Sequence, residues 1–213
     1  MKYSDLGKLL GQEGYFDLAT VVQLTGERRE SICIQLHRWC KDGKLLALRR
    51  GMYAFPAVGG MRAINPAELA NRLYTPSYIS TYWAMGYYGL IPEKVVTYTS
   101  VTSRVTRSFS NALGLFSYQS LKPDAFFGYR PVMMGDQKVL IAEPEKALLD
   151  LWYLEQGAWS HERMEAMRFQ NQEVIDEGKL HAYAERFQSP RLVKAVDTWT
   201  RVNRSQNEGT VEL

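Results

Sequence analysis

Seven basic side chains, Arg28, Arg29, Arg38, Lys41, Lys44, Arg49 and Arg50, crowd into residues 27–53, against three acidic ones. Guanidinium and ammonium groups gathered at that density are suited to neutralising phosphate, and the arginines can do so through two parallel hydrogen bonds. The surplus is local. Residues 1–56 hold 9 Lys/Arg and 6 Asp/Glu, whereas the rest of the chain holds 17 of each, so the whole formal net charge of +3 lies in the first quarter. Clustering of that kind is the electrostatic footprint of a nucleic-acid-binding surface, although a pI near 8.8 is only mildly basic and a charged helix face is often simply solvated.

Other chemistry is poorly provided for. The sequence has no His/Cys metal motif, nucleophile elbow, phosphate loop or dinucleotide fingerprint. A two-metal nucleotidyl-transfer site needs paired carboxylates on adjacent strand positions. The predicted strands carry none: Asp124 stands alone, and Glu143, Glu145 and Asp150 fall near a helix start, where the helix dipole accounts for them. His37, His161 and His181 have no evident partners. Cys33 and Cys40 fall on one predicted helix about 10 Å apart, too far for a disulfide or for one tetrahedral ion. The expectation is therefore no enzyme, no cofactor and no metal.

The basic cluster needs elements to position it. Ile32, Leu36, Trp39 and Cys40 recur at helical spacing, and Gly43 follows as a stop. That leaves Glu27, Glu30, Ser31, Ile34, Arg38 and Lys41 on the opposite face, with Arg28, Arg29 and Gln35 at the exposed start or the edge. Upstream, LATVVQLTG ends in a tight turn at Thr25-Gly26. Downstream, KLLALRR and GMYAFP read as a hairpin around Arg49-Arg50-Gly51, with Leu46, Leu48, Tyr53 and Phe55 offering an apolar side to the helices. Turn, helix and basic hairpin in this order predict a winged helix-turn-helix over residues 1–56, which would read a major groove with the helix and grip backbone with the hairpin. The predicted DNA contacts are Arg28, Arg29, Ser31, Ile34, Gln35, Arg38, Lys41, Lys44, Arg49 and Arg50.

A Pro/Gly-bounded stretch, residues 57–64, reads as a linker, and residues 65–203 as an α+β domain. Asn65-Pro66 opens one helix, and SYISTYWAMGYYGL reads as a second. The runs VVTYTSV, LFSYQSL, FFGYRPVMM and KVLIA predict a small, mostly antiparallel sheet with a turn at Gly135-Asp136. EPEKALLDLWYLEQG is a helix with Ala147, Leu148, Leu151 and Trp152 buried. More helices follow to about Asn203, broken at Gly178 and Ser189-Pro190, and residues 204–213 read as a polar, frayed tail. Arg104 and Arg107, in SVTSRVTRSF, sit in a predicted loop that either grips a phosphate or a partner's carboxylate, or is plainly solvated. The aromatic run from Tyr74 to Tyr88 could stack bases, but it follows core spacing and has no interleaved Lys/Arg. No run approaches the ~20 apolar residues of a membrane span, and the N-terminus lacks a signal-peptide core, so the expected location is cytoplasmic with no membrane partner.

The runs YISTYWAMGYYGLIPEKVVTYTSVTSR and VLIAEPEKALLDLWYL, in order after the basic hairpin, resemble the AbiEi-type antitoxins of bacterial abortive-infection systems, with the likeness covering roughly residues 15–155. The resemblance implies a winged-helix DNA-binding half and an antitoxin half. It further implies repression of the protein's own operon through inverted repeats in double-stranded DNA, and a neighbouring nucleotidyltransferase-type toxin countered without a stable complex. Its DNA-binding positions fall on Arg28, Arg29, Ser31, Gln35, Arg38, Lys44, Arg49 and Arg50. The recognition helix is poorer in Arg than the family pattern, so Ile34 and Gln35 would supply a thymine-methyl contact and an adenine amide pair. One winged domain spans few base pairs, so two copies on a repeat are expected, as a dimer on DNA or side by side. The rival expectation is a protein-binding module that neutralises a toxin directly, with DNA binding secondary.

Overall fold

The computed structural model describes residues 1–57 and 62–209. Residues 58–61 of the expected linker and 210–213 of the expected tail lie outside the described residues. The chain is α+β, with a small antiparallel sheet, a larger mixed sheet and flanking helices. No helix among the described residues is long and apolar enough to cross a membrane.

The first part holds three helices, α1 (Tyr3–Leu10), α2 (Leu18–Thr25) and α3 (Arg29–Lys41), and three short strands, β1 (Tyr15–Asp17), β2 (Leu46–Arg49) and β3 (Met52–Ala54). The strands pair antiparallel in the order β1-β3-β2. Leu6, Leu10, Val21, Ile32, Leu36 and Trp39 bury the helices against one face of this sheet, where Phe16, Tyr53 and Phe55 project.

The other face of the small sheet is also covered. Leu46, Leu48, Met52 and Ala54 face the second, larger core, which corrects the expectation that Leu46 and Leu48 turn toward the helices with Tyr53 and Phe55. The reason is the two-residue period of a strand: where both faces are buried both alternating sets are apolar, and the pattern alone does not say which set meets which core. Two polar clasps reinforce the junction. Tyr15 Oη donates to Glu68 Oε1 at 2.8 Å, and Asn111 Nδ2 donates to the Leu48 carbonyl at 3.1 Å. Burial, with Glu68 adding to it, pushes the Tyr15 phenol up to about 12. Gly14 stands at φ +79, and a Cβ there would come within 3.3 Å of the Arg62 carbonyl, so the close passage of the two segments requires glycine.

The larger sheet comprises β4 (Ser77–Ile79), β5 (Tyr98–Thr102), β6 (Arg107–Asn111), β7 (Gly114–Ser120), β8 (Tyr129–Met134) and β9 (Gln137–Ala142), in the order β6-β7-β5-β4-β9-β8. It is mixed rather than mostly antiparallel, because β4 runs parallel to β9 and β5 parallel to β7. Helices α4 (Pro66–Leu73), α5 (Thr81–Tyr87), α6 (Pro144–Leu154), α7 (His161–Ala166), α8 (Glu177–Arg186) and α9 (Pro190–Gly209) complete the body.

Several expected elements shift. The start of the second predicted helix is strand β4, fully buried between β5 and β9. A short buried apolar run carries no usable period, and pairing on both sides decides it. Arg107 opens strand β6 rather than lying in a loop; this edge strand needs few apolar residues because one side stays wet. Gly178 lies inside the first turn of α8, where the Asp176 side chain caps the Lys179 amide, and so does not break it. Helix α9 runs on through Gly209, past the expected fraying point. The far end of the expected linker is pinned, with the Gln137 side chain bonded to Asn65 N and to the Ala63 carbonyl.

A charged clasp joins α6 to α8. Glu143 accepts from Tyr183 Oη at 2.6 Å and from Lys179 Nζ at 3.0 Å. Partial burial works against its ionisation, yet these bonds outweigh it and hold the carboxyl below its ordinary 4.5, while Lys179, also opposed by burial, is held above 10.5 by Glu143 and Glu145. A depressed carboxyl stabilises above its unfolded pKa, and a raised lysine below its own. The stability difference between the protein and Glu143→Gln should therefore be largest from pH 4.5 to 10.5. It should shrink as pH falls through the lowered carboxylate value or rises through the raised lysine value. Urea midpoints across pH check this, and a pH-independent difference would rule the clasp out.

Candidate nucleic-acid interface

Helix α3 meets α2 through a three-residue turn, Gly26–Arg28. Gly26 takes φ +66, open to glycine at little cost, and its amide closes on the Val22 carbonyl at 2.9 Å. Ile32, Leu36 and Trp39 bury one side of α3. Ser31, Ile34, Arg38 and Lys41 consequently point to solvent on the other, with Ile34 62% exposed. An apolar side chain held in water among cations gains nothing for the fold; it gains from a methyl or ring placed against it.

The start of α3 is also charged against its own stability. Arg28 is the N-cap and Arg29 the first helical residue, both exposed, at the end where the helix dipole disfavours cations. No side chain caps this end, so its first amides remain open to an external acceptor. Dipole, open amides and two guanidiniums favour an anion here, offset in part by the Glu30 carboxylate in the same first turn. Among the described residues, Arg28, Arg29, Arg38, Lys41 and Arg50 have no carboxylate within ion-pair distance.

Gly43, at φ +70, turns the chain directly from α3 into β2, and the Trp39 carbonyl accepts from both Lys44 N and Leu45 N, at 2.9 and 3.2 Å. The hairpin is therefore fixed to the C-terminal end of α3. A register shift between Ala47 and Arg49 bulges β2 just before the tip. Gly51 stands at φ +77, and its carbonyl accepts from Leu18 N at 2.8 Å, tying the tip to α2. Arg50 is exposed; Arg49 is half-buried, 3.4 Å from Asp17. Lys44 is exposed and reaches only Asp42, at 4.0 Å.

Gln35 departs from its expected role. It is half-buried, its Nε2 bonds Glu27 Oε2 at 3.5 Å, and its Oε1 is buried without a partner. The amide turns inward because the edge of the helix face sits against the Glu27 turn.

Arg104 and Arg107 stand beside the hairpin tip. With Arg49 and Arg50 they line one cleft, floored by Tyr74 and Phe109. These two pairs of arginines lie more than fifty residues apart in the chain, and no sequence signal links them. Tyr74 and Thr75, which also line the cleft, read in the sequence as the end of a helix and, for Tyr74, as the first ring of an aromatic run at core spacing.

No protein-family model and no curated protein matches this chain.

Proposed function

We propose that the protein is a DNA-binding transcriptional repressor, cytoplasmic and without catalytic activity, whose first 56 residues act as a winged helix-turn-helix. The observation that carries the reading is the outer face of α3, where exposed Ile34 shares the surface with Arg38 and Lys41, both without a carboxylate partner, on a helix whose start carries Arg28 and Arg29. Arg28, Arg29, Lys41, Lys44, Arg49 and Arg50 neutralise phosphates, and Ser31, Ile34 and Arg38 meet base edges. The antitoxin role, and the control of its own operon through inverted repeats, rest on the resemblance of residues 15–155 to AbiEi-type antitoxins.

Fluorescence anisotropy with a duplex from the protein's own promoter and a scrambled duplex tests the reading. Promoter-selective binding at two copies per repeat, weakening steeply as salt rises, is expected. Equal failure with both duplexes near physiological salt would overturn it and leave direct capture of a partner protein as the alternative.

A further inference from the structure

The cleft behind the hairpin tip encloses about 420 Å³, within the size range of small-molecule sites. Four arginines line it, and no acidic residue does. The nearest compensation is Asp17, outside the lining, at 3.4 Å from Arg49. Arg50, Arg104 and Arg107 have no carboxylate partner among the described residues.

Two of the four are already posed. Arg104 lies over the Tyr74 ring at 4.4 Å and donates to the Thr75 carbonyl at 3.2 Å, while Arg107 lies 5.8 Å from the Phe109 ring and 5.9 Å from that of Tyr74. The segment carrying Arg104 is itself held, since Thr102 Oγ1 accepts from Arg104 N and donates to the Pro76 carbonyl. In the same lining, Arg49 Nη1 donates to the Arg50 carbonyl, and Arg49 Nε is buried with no partner. Like charges gathered in a concavity repel one another, and rigid forks already ordered by rings and carbonyls give up little entropy on binding. An occupant with several negative oxygens relieves the first and exploits the second.

We propose that this cleft binds a small molecule bearing two or more linked phosphate groups, held by Arg104, Arg107, Arg49 and Arg50. Phosphate matches the paired donors of arginine, and four arginines in one lining with no acidic residue among them match more negative charge than one phosphate carries. The occupant would share Arg49 and Arg50 with the proposed grip on DNA backbone, but it needs no contact with α3 and its binding is measured without DNA.

Isothermal titration calorimetry on the full chain, with pyrophosphate, ATP and inorganic phosphate as separate probes and no DNA present, tests it. Saturable binding of pyrophosphate or ATP at one per chain is expected, at least about tenfold tighter than inorganic phosphate. Arg104→Ala/Arg107→Ala should weaken it by about 100-fold, and Arg104→Lys/Arg107→Lys by about tenfold, because the charge remains while the forked donors are removed. Lys8→Ala/Lys194→Ala removes two exposed cations elsewhere and should leave binding within about twofold. Weakening of equal size in that control would reduce the effect to general charge attraction and overturn the proposal. So would the absence of saturable heat with both pyrophosphate and ATP. Binding of a short duplex alone, sensitive to Arg104→Ala/Arg107→Ala, would make the cleft a seat for nucleic-acid backbone and overturn it equally.

Discussion

Replacing Asp150 by alanine should destabilise the protein by about 3–5 kcal/mol, read from urea unfolding, because it strands an ammonium in the core. Lys146 and Asp150 lie one turn apart on α6, both fully buried and ion-paired. Ser80 Oγ and Tyr78 Oη donate to Asp150 Oδ2 at 2.6 and 3.1 Å, and Lys146 Nζ donates to Tyr78 Oη at 2.8 Å. Around the ammonium stand the rings of Phe187, Phe127 and Tyr78, at 4.8 to 5.4 Å. Burial pushes the lysine down and the carboxyl up from their ordinary values, and each charge restrains the shift in the other. The network ties α6 to the central strand β4 and to the residue that opens α5. The double variant Lys146→Met/Asp150→Leu removes both charges and should recover most of the stability, since apolar replacements of a buried pair are often neutral. A destabilisation below about 1 kcal/mol in Asp150→Ala would mean that water or rearrangement reaches the ammonium and that the pair is not sealed.

The second large effect is on duplex affinity. Arg28→Ala/Arg29→Ala/Arg38→Ala should lower affinity for a promoter duplex by about 100-fold or more at low salt and flatten the dependence of log K on log salt by about 1.8, at ~0.9 for each of the two phosphates that Arg28 and Arg29 no longer neutralise, the loss of Arg38 removing a base-edge contact. All three side chains are exposed and lie outside the packed face of α3, so circular dichroism and the urea midpoint should barely move. Ile34→Ala separates reading from gripping. It should leave the salt slope unchanged while costing about 1 kcal/mol or more of discrimination between promoter and scrambled duplex, because a methyl contact carries sequence information and no charge. If the triple variant kept the wild-type slope, α3 would not be the surface that meets phosphate, and the proposed orientation of the helix would fall.

Much of the local architecture was legible in the residues. The stripe Ile32, Leu36 and Trp39 placed α3 correctly, Gly43 marked its end, and Gly135-Asp136 marked the turn between β8 and β9. These are short-range consequences of backbone geometry and side-chain period, which a few neighbouring residues specify. Helix α6 shows where that reasoning stops. Its start at Glu143-Pro144 was readable, but residues Glu145 through Trp152 are all buried, because packing against α5, α8 and α9 surrounds the helix. Glu145 and Asp150, expected at a solvated helix start under the influence of the dipole, are instead core residues: Asp150 pairs with Lys146, and Glu145 accepts from Asp176 N at 3.0 Å. A charged residue reads as exposed until the partner that neutralises it is known.

By itself, then, the order of residues determined where the chain turns, which side of α3 is apolar and where positive charge accumulates. Tertiary structure alone decided that the small sheet is shared between two cores, that Gln35 folds inward, and that Arg49 and Arg50 close a cleft with Arg104 and Arg107. The physical reason is range. Periods, caps and turns are set by neighbouring residues, whereas the burial of a charge or the meeting of two distant arginine pairs depends on which surfaces pack, a property no local window contains.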